Sequence, residues 1–301
     1  MNLDALKVAL KNTAIPWEAN VSLKSYTSLK IGGCADLLVK PATTEEIQTV
    51  IALANTYQIP YFMLGNGSNT LVLDHGVTGM VILLAGNFSQ IMLSSPTTIT
   101  CDAGISLMDV CLFARKHHLT GLEFAYGIPA SVGGALYMNA GAYGGEMKDV
   151  VISCTYLNEQ NILETKSLSE LELRYRHSYF TDKKLCIISV TFQLQHGDLT
   201  EIDHQMQTYL KQRQLKQPLE YPSAGSTFKR PNNHYASALI DQCGLKGYRI
   251  GDAQVSEKHA GFLINAGKAT SEEFLNLIQH VKEVVYTKTG YQLECEMKIL
   301  E

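Results

Sequence analysis

The chain has 301 residues, a length that predicts two or three domains. Hydrophobic residues make up 46% and charged residues 18%, which is typical of a globular protein and excludes a disordered chain. The formal net charge of −4 provides no basic excess for nucleic acid phosphates or for an anionic membrane surface. We therefore expect neither nucleic acid nor a membrane as the main partner.

The cysteines and the N-terminus predict a cytoplasmic protein. There are 7 cysteines, an odd number, and no Cys-x-x-Cys pair that would indicate a zinc ribbon or a disulfide framework. Asp4 stands where a signal peptide carries positive charge. The longest apolar stretch, 77–85, is shorter than the roughly 20 residues that a membrane helix needs. We expect no bound metal, because the histidines show no ligand spacing.

The first third of the chain alternates strand and helix patterns. A strand is predicted over 35–40 and a second, short and apolar, over 60–64. Between them, Thr43 and Glu46 form a capping box that begins a helix. The apolar face of this helix comprises Ile47, Val50, Ile51 and Ala54.

The middle of the chain is predicted to contain short strands and one helix. The helix begins at Ser106, and the strands cover 80–84, 97–102, 150–157 and 185–194. Too few helices cross between these strands for a doubly wound parallel sheet, so the fold class is α+β.

The pattern changes near Gly197, where we place a domain boundary. An amphipathic segment over 202–215 precedes a predicted loop over 217–233. A second capping box at Thr270 begins a helix. A final strand is predicted over 291–299, because apolar and polar residues alternate there.

Two glycine-rich segments indicate a ligand that carries phosphate. The first, 65–69, reads Gly-Asn-Gly-Ser-Asn and lacks the last glycine of the dinucleotide fingerprint, so a Rossmann fold is not favoured. The second, 127–145, combines glycines with apolar side chains, unlike a flexible linker. Ordering so many glycines is costly unless the backbone must approach something closely. Two such loops could hold one pyrophosphate from two sides.

Seven segments occur together in the order and spacing of one family. The sequence resembles the UDP-N-acetylenolpyruvoylglucosamine reductase family from about residue 20 onward. The segments are 26–33, 64–69, 127–143, 175–178, 225–229, 258–262 and 293–296.

The resemblance implies a fold and a division of the chain. Two lobes, 1–80 and 81–196, would form an FAD-binding domain of the vanillyl-alcohol oxidase type. Residues 197–301 would form an α+β domain that binds the substrate. The cofactor residues would come from the two glycine-rich segments: Gly65, Asn66, Gly67, Ser68, Asn69, Gly127, Ile128, Pro129, Ser131, Gly133, Gly134, Asn139, Ala140 and Gly141.

The resemblance also implies a reaction. NADPH would reduce non-covalently bound FAD, and the enolpyruvyl ether of UDP-N-acetylglucosamine would then be reduced to UDP-N-acetylmuramate for bacterial peptidoglycan. Arg176 and Glu296 would stabilise the enolate, and Ser226 would deliver a proton to C2. A developing oxyanion needs preorganised donors, and the acid must lie within hydrogen-bond reach. Substrate contacts are expected from Tyr175, Lys216 and Lys229.

The sequence departs from the family pattern at Ala130, Arg230 and Cys295, where glycine, asparagine and proline are usual. Two other functions stay open on the residues alone. One is a flavin oxidase or dehydrogenase with another substrate, and the other is a flavin- or nucleotide-binding protein without catalysis. Ser226, Lys229 and Glu296 in the C-terminal part disfavour the first, and the presence of Arg176, Ser226 and Glu296 disfavours the second.

Overall fold

The structure is a computed structural model that describes residues 2–301. The helices are α1 (Leu3–Lys11), α2 (Thr44–Thr56), α3 (Leu107–Lys116), α4 (Val132–Tyr137), α5 (Leu199–Lys216), α6 (Ala236–Gln242) and α7 (Ser271–Thr289). The strands of the first half are β1 (Trp17–Ser22), β2 (Cys34–Val39), β3 (Tyr61–Leu64), β4 (Thr70–Val72), β5 (Val77–Leu83), β6 (Ile91–Ser95), β7 (Thr98–Asp102), β8 (Leu119–Thr120), β9 (Gly141–Ala142) and β10 (Gly145–Glu146). Those of the second half are β11 (Val151–Leu157), β12 (Leu163–Ser167), β13 (Cys186–Gln193), β14 (Gln195–His196), β15 (Ser223–Ser226), β16 (Arg249–Ile250), β17 (Ala253–Val255), β18 (Phe262–Asn265) and β19 (Lys298–Leu300).

The chain forms two compact units that are not continuous in sequence. Unit 1 contains the residues up to 19 together with 37–66 and 79–212, and unit 2 contains 20–36, 67–78 and 213–301. The predicted division into 1–80, 81–196 and 197–301 has other boundaries than these two units, and it stays a prediction.

The core of unit 1 is built on a five-stranded antiparallel sheet with the order β12-β11-β13-β7-β6. Alternate residues of its central strand, such as Val190 and Phe192, are fully buried. A second sheet has the order β1-β2-β5-β3, in which β3 runs parallel to β5. β3 ends at Leu64, so Gly65 directly follows a strand of this sheet.

Unit 2 is an antiparallel sheet with the order β15-β18-β17-β16, and its core includes apolar residues of α6 and α7. Helix α7 begins with a complete capping box between Thr270 and Glu273 and ends at Gly290, whose φ of 75° is left-handed. The buried face of α7 consists of Phe274, Leu277, Ile278, Val281 and Val285. Strand β19 pairs in parallel with β4, so the end of unit 2 joins a segment near residue 70.

The structure confirms the helices predicted at Thr43, Ser106 and Thr270, and two other predictions are wrong. The loop over 217–233 contains β15, which four residues form by pairing with distant β18. The strand over 291–299 is reduced to β19, because residues 294–296 instead lie beside 227–229. A change of partner interrupts the alternation that predicted one continuous strand.

Candidate active site

Within unit 1, the start of the first glycine segment, residues 65–66, lies against residues 129–131 of the second. A Cβ added to Gly65 would overlap the hydroxyl of Ser131, so only glycine permits this approach. The side-chain amide of Asn66 donates to the carbonyl of Pro129 at 3.4 Å. The two segments that the sequence singled out are therefore neighbours.

A run of backbone donors follows Gly65. Among residues 2–301, no group accepts a hydrogen bond from the backbone N–H of Asn66, Gly67, Ser68 or Asn69. Gly67 has a φ of 58°, and a Cβ there would overlap the carbonyl of Tyr26. Successive N–H groups in such a turn form a concave anion site. The three donors on residues 67–69, all of unit 2, have the chemistry that a phosphate group requires.

The second segment contains a helix whose first donors are already used. The backbone N–H groups of Val132 and Gly133 donate to the carbonyls of Ile105 at 2.9 Å and Ala103 at 2.8 Å. The hydroxyl of Ser131, the N-cap of α4, accepts the N–H of Gly134 at 3.3 Å. The start of α4 is therefore fixed to the protein, and Val132 and Gly133 offer no free backbone donor to a ligand.

The two glycines of α4 have different surroundings. A Cβ on Gly133 would lie 2.9 Å from the Cβ of Ala103, so glycine is needed there for packing. Gly134 is exposed, and a Cβ there would meet only the Ser131 hydroxyl within 4 Å, at 3.3 Å. Gly134 thus presents a bare backbone surface that another molecule can approach.

The rest of the second segment is folded, as its apolar residues predicted. Gly141 and Ala142 form a small hairpin with Gly145 and Glu146. The ring of Tyr143 at the hairpin tip stacks on that of Tyr209 in α5, with centroids 4.4 Å apart. This contact is not visible in the sequence, because the two residues lie on separate elements.

Asn139 is a predicted cofactor residue whose side-chain amide forms its hydrogen bonds with other residues of the protein. It is 1% exposed, and its Nδ2 donates to the Glu146 carboxylate at 2.7 Å and to the Arg174 carbonyl at 3.2 Å. Its Oδ1 accepts the N–H of Lys148 at 3.0 Å. Sequence reasoning missed this link to residue 174.

Arg176 lies in a tight turn of unit 1. Arg174 and His177 exchange two backbone hydrogen bonds, of 3.1 and 3.0 Å, which close the turn. Arg176 has a φ of 54°, a conformation that is unfavourable for a residue other than glycine or asparagine. Its guanidinium lies 5.0 Å from the centre of the Tyr175 ring, and Tyr175 is 48% exposed. Such backbone strain is typical of functional turns.

Ser226 and Glu296 are held by adjoining segments of unit 2. The N–H of Glu296 donates to the carbonyl of Thr227 at 2.8 Å, and that of Lys229 to the carbonyl of Glu294 at 2.8 Å. The carbonyl of Glu296 also accepts a hydrogen bond from the side-chain amide of Asn69 at 3.2 Å. The structure therefore joins Asn69 directly to Glu296, and it pairs Glu296 with Thr227, the residue that follows Ser226.

The side chains of these segments differ in their surroundings. The hydroxyl of Thr227 is buried and accepts the N–H of Leu263 at 3.2 Å, whereas that of the half-buried Ser226 makes no hydrogen bond with residues 2–301. Oε2 of Glu296 is buried, whereas Glu294 is exposed and forms an ion pair with Lys229. Ser226 thus offers an uncommitted hydroxyl, and the carboxyl group of Glu296 is partly buried.

His259 supports the strand that faces Ser226. Ser226 pairs with Phe262, and the Nδ1 atom of His259 accepts the N–H of Gly261 at 3.1 Å. Burial lowers the pKa of His259, which favours the neutral imidazole that can accept this bond. The sequence contained the His259 motif but gave no reason for it.

Lys216 is the last residue of α5 and is exposed, and no hydrogen bond joins it to the predicted residues of unit 2. Within residues 2–301, no three His, Cys, Asp or Glu side chains are placed to hold a metal ion. The same residues contain no helix with the length and apolar character of a membrane span.

Comparison with known proteins identifies related chains. Residues 35–163 match a family model described as an FAD binding domain, and residues 217–300 match one described as the C-terminal domain of UDP-N-acetylenolpyruvoylglucosamine reductase. The reductase of Caldanaerobacter subterraneus is 45% identical over 99% of this chain and 97% of its own. That of Streptococcus pneumoniae is 46% identical over 92% of both chains. The solved reductase structure from Thermus caldophilus has a TM-score of 0.81 and 35% identity, over 95% of this chain and 99% of its own.

Proposed function

The chain belongs to the UDP-N-acetylenolpyruvoylglucosamine reductase family, and from this premise we propose how its own residues perform the reaction. It is an FAD-dependent oxidoreductase that reduces the enolpyruvyl ether of UDP-N-acetylglucosamine to UDP-N-acetylmuramate for peptidoglycan. Its fold is α+β, with an FAD-binding domain of the vanillyl-alcohol oxidase type and a C-terminal substrate domain. NADPH is the proposed reductant, and the bacterial cytoplasm is the proposed location.

The residues of the glycine segments fit a flavin diphosphate. In unit 2, the unpaired N–H groups of residues 67–69 would supply donors for phosphate oxygens. In unit 1, the bare backbone at Gly134 would allow close approach of a ligand. Neither 65–69 nor 127–145 contains a histidine or cysteine that could form a bond to the flavin. We therefore assign these segments to non-covalent FAD binding, through backbone groups rather than through the side chain of Asn139.

The proposed catalytic roles follow from the negative charge that develops on the substrate during the reaction. FAD, when bound, supplies the hydride that adds to C3 of the enolpyruvyl group. Negative charge then develops at C2 and spreads into the substrate carboxylate, which the planar guanidinium of Arg176 can bind through two parallel hydrogen bonds. Glu296 is assigned to the same charge stabilisation as Arg176. Ser226 holds the proton that is transferred to C2.

The observation that carries this proposal is the backbone pairing of residues 227–229 with 294–296. It holds the segments that carry Ser226 and Glu296 next to each other, which supports assigning a proton donor and a charge-stabilising group to them. Tyr175 and Lys229 are retained as proposed substrate contacts, with Lys229 available once its ion pair with Glu294 opens.

The function is tested with the purified protein under exclusion of oxygen. We expect flavin absorbance that NADPH bleaches and that the UDP-linked enolpyruvyl ether restores, with one substrate consumed per flavin. Acid precipitation should release the flavin into the supernatant. A coloured precipitate would contradict non-covalent binding, and reduced flavin that the substrate does not reoxidise would contradict the activity.

The assignment of Gly134 predicts a loss of cofactor without a loss of fold. Gly134→Val should lower flavin occupancy at least about tenfold, because its side chain occupies the surface that the cofactor approaches. Gly134→Ala should have a smaller effect, because a methyl group is smaller than the valine side chain, and it serves as the matched control. Occupancy is measured from the flavin-to-protein absorbance ratio, and circular dichroism reports the fold. Full occupancy in a folded Gly134→Val protein would remove this segment from the cofactor site.

A further inference from the structure

The side chain of Asn139 joins the second glycine segment to the turn that carries Arg176. Its Nδ2 donates to the carbonyl of Arg174 at 3.2 Å, and the same carbonyl accepts the N–H of His177 at 3.0 Å. The turn is thus closed by two backbone bonds between Arg174 and His177 and tied to residue 139 by a side-chain bond. All of these residues belong to unit 1.

The contacts of Asn139 leave little freedom for this amide. Its two N–H groups and its oxygen all have partners in the protein: Glu146, Arg174 and Lys148. The residue is 1% exposed, and its φ of 41° is one that asparagine adopts more readily than most residues. Breaking the link would leave buried polar atoms unpaired, which is unfavourable.

A second anchor acts on the other side of Arg176. The hydroxyl of the fully buried Ser178 donates to the carbonyl of Tyr137, the last residue of α4, at 2.8 Å. Arg176 therefore lies between two points of attachment, residues 174 and 178, and both lead to residues 137–139. The strained backbone of Arg176 needs such support from its surroundings.

We propose that Asn139 is a positioning residue for Arg176, acting through the carbonyl of Arg174, rather than a ligand of the cofactor. This proposal rests on the proposed function, because it assumes that Arg176 stabilises the enolate. Asn139 holds the turn in the geometry that presents the guanidinium, and the half-reaction that forms the enolate depends on it. Reduction of the flavin by NADPH does not.

The test uses Asn139→Gly in the holoenzyme, because glycine tolerates the positive φ and removes only the amide. We expect FAD occupancy and NADPH reduction to stay within about twofold, while reoxidation by the enolpyruvyl substrate slows about tenfold. The control is Asn161→Gly, because Asn161 also has a positive φ and also donates to a backbone carbonyl, that of Gln48 at 2.8 Å. Both rates should be normal in the control.

A second measurement does not depend on the reaction. Trypsin cleaves after Arg174 and Arg176 only when the turn opens, so native-state cleavage there should rise at least about fivefold in Asn139→Gly. Asn139→Asp also tolerates the positive φ but replaces the side-chain NH2 group, which is the donor, with an oxygen. It should show the same rise in cleavage if the glycine variant folds poorly. Unchanged cleavage in both variants, or a loss of FAD occupancy, would overturn the proposal.

The double variant separates this proposal from the role of Arg176. In an Arg176→Gly background, Asn139→Gly should slow reoxidation no further, while cleavage after Arg174 still rises. An equal additional slowing would show that Asn139 acts by another route and would overturn the proposal. Normal reoxidation in Arg176→Gly alone would instead reject the role proposed for Arg176, whatever Asn139 does.

Discussion

Ser226→Ala is expected to separate the two half-reactions. Reduction of the flavin by NADPH requires no proton from Ser226, so its rate should stay within about twofold. Reoxidation by the enolpyruvyl substrate requires a proton at C2 and should slow by roughly 10²–10⁴-fold, the contribution of a positioned acid. Stopped-flow absorbance measures each step. The Ser226 hydroxyl makes no bond with residues 2–301, so its removal leaves no buried partner behind.

Ser223→Ala is the matched control, because Ser223 lies on the same strand and only its backbone is used, by the hydroxyl of Ser28 at 2.6 Å. Both half-reactions should proceed normally in this control. Equal slowing of both steps in Ser226→Ala would indicate a defect in binding or folding. Normal reoxidation would remove Ser226 from the mechanism.

Arg176→Gly is expected to abolish most activity while keeping or raising stability. Glycine at a φ of 54° relieves an unfavourable backbone conformation, so the Tm should stay level or rise by up to about 2–4 °C. The guanidinium is lost, however, and reoxidation should slow by at least about 10²-fold. Arg176→Lys should also be impaired, because an ammonium cannot form two parallel bonds to a carboxylate. Calorimetry and stopped-flow absorbance measure the two effects.

Glu172→Gly provides the control for backbone relief, since Glu172 has a φ of 50° in the same region and is exposed. The Tm of Glu172→Gly should change as that of Arg176→Gly does. Both half-reactions of Glu172→Gly should proceed at normal rates. A marked loss of stability in Arg176→Gly would mean that the side chain supports the fold. Near-normal reoxidation in both Arg176→Lys and Arg176→Gly would show that Arg176 takes no part in the reaction.

The sequence predicted those elements whose signals are local. Thr270 and Glu273 lie three residues apart, so their capping box is visible without knowledge of the fold, and the structure contains it. Strand β15 gave no such signal, because Pro222 and Gly225 in and beside it are typical of turns. It exists through its pairing with β18. The segment 291–299 likewise follows two distant partners in succession, and alternation alone cannot reveal where one partner replaces the other.

The same distinction applies to the candidate site. Glycine content identified both segments near the proposed cofactor, but the sequence could not show that Ala103 and Ile105 accept the first donors of α4. Nor could it show that Asn139 binds the Arg174 carbonyl, a partner 35 residues away. Residue types indicate what chemistry is available, and the free or occupied state of each donor depends on tertiary contacts.

The composition of unit 2 determines when it can form during synthesis. Its core buries Leu29, Ile31 and Leu71 with residues of α7, and β4 pairs with β19. On the ribosome, the segments 20–36 and 67–78 emerge long before 213–301. They can pair with each other through bonds such as that from the N–H of Gly33 to the carbonyl of Leu73, but the side chains of α7 and the β19 edge are still missing. Unit 2 therefore cannot be completed until the last strand is translated.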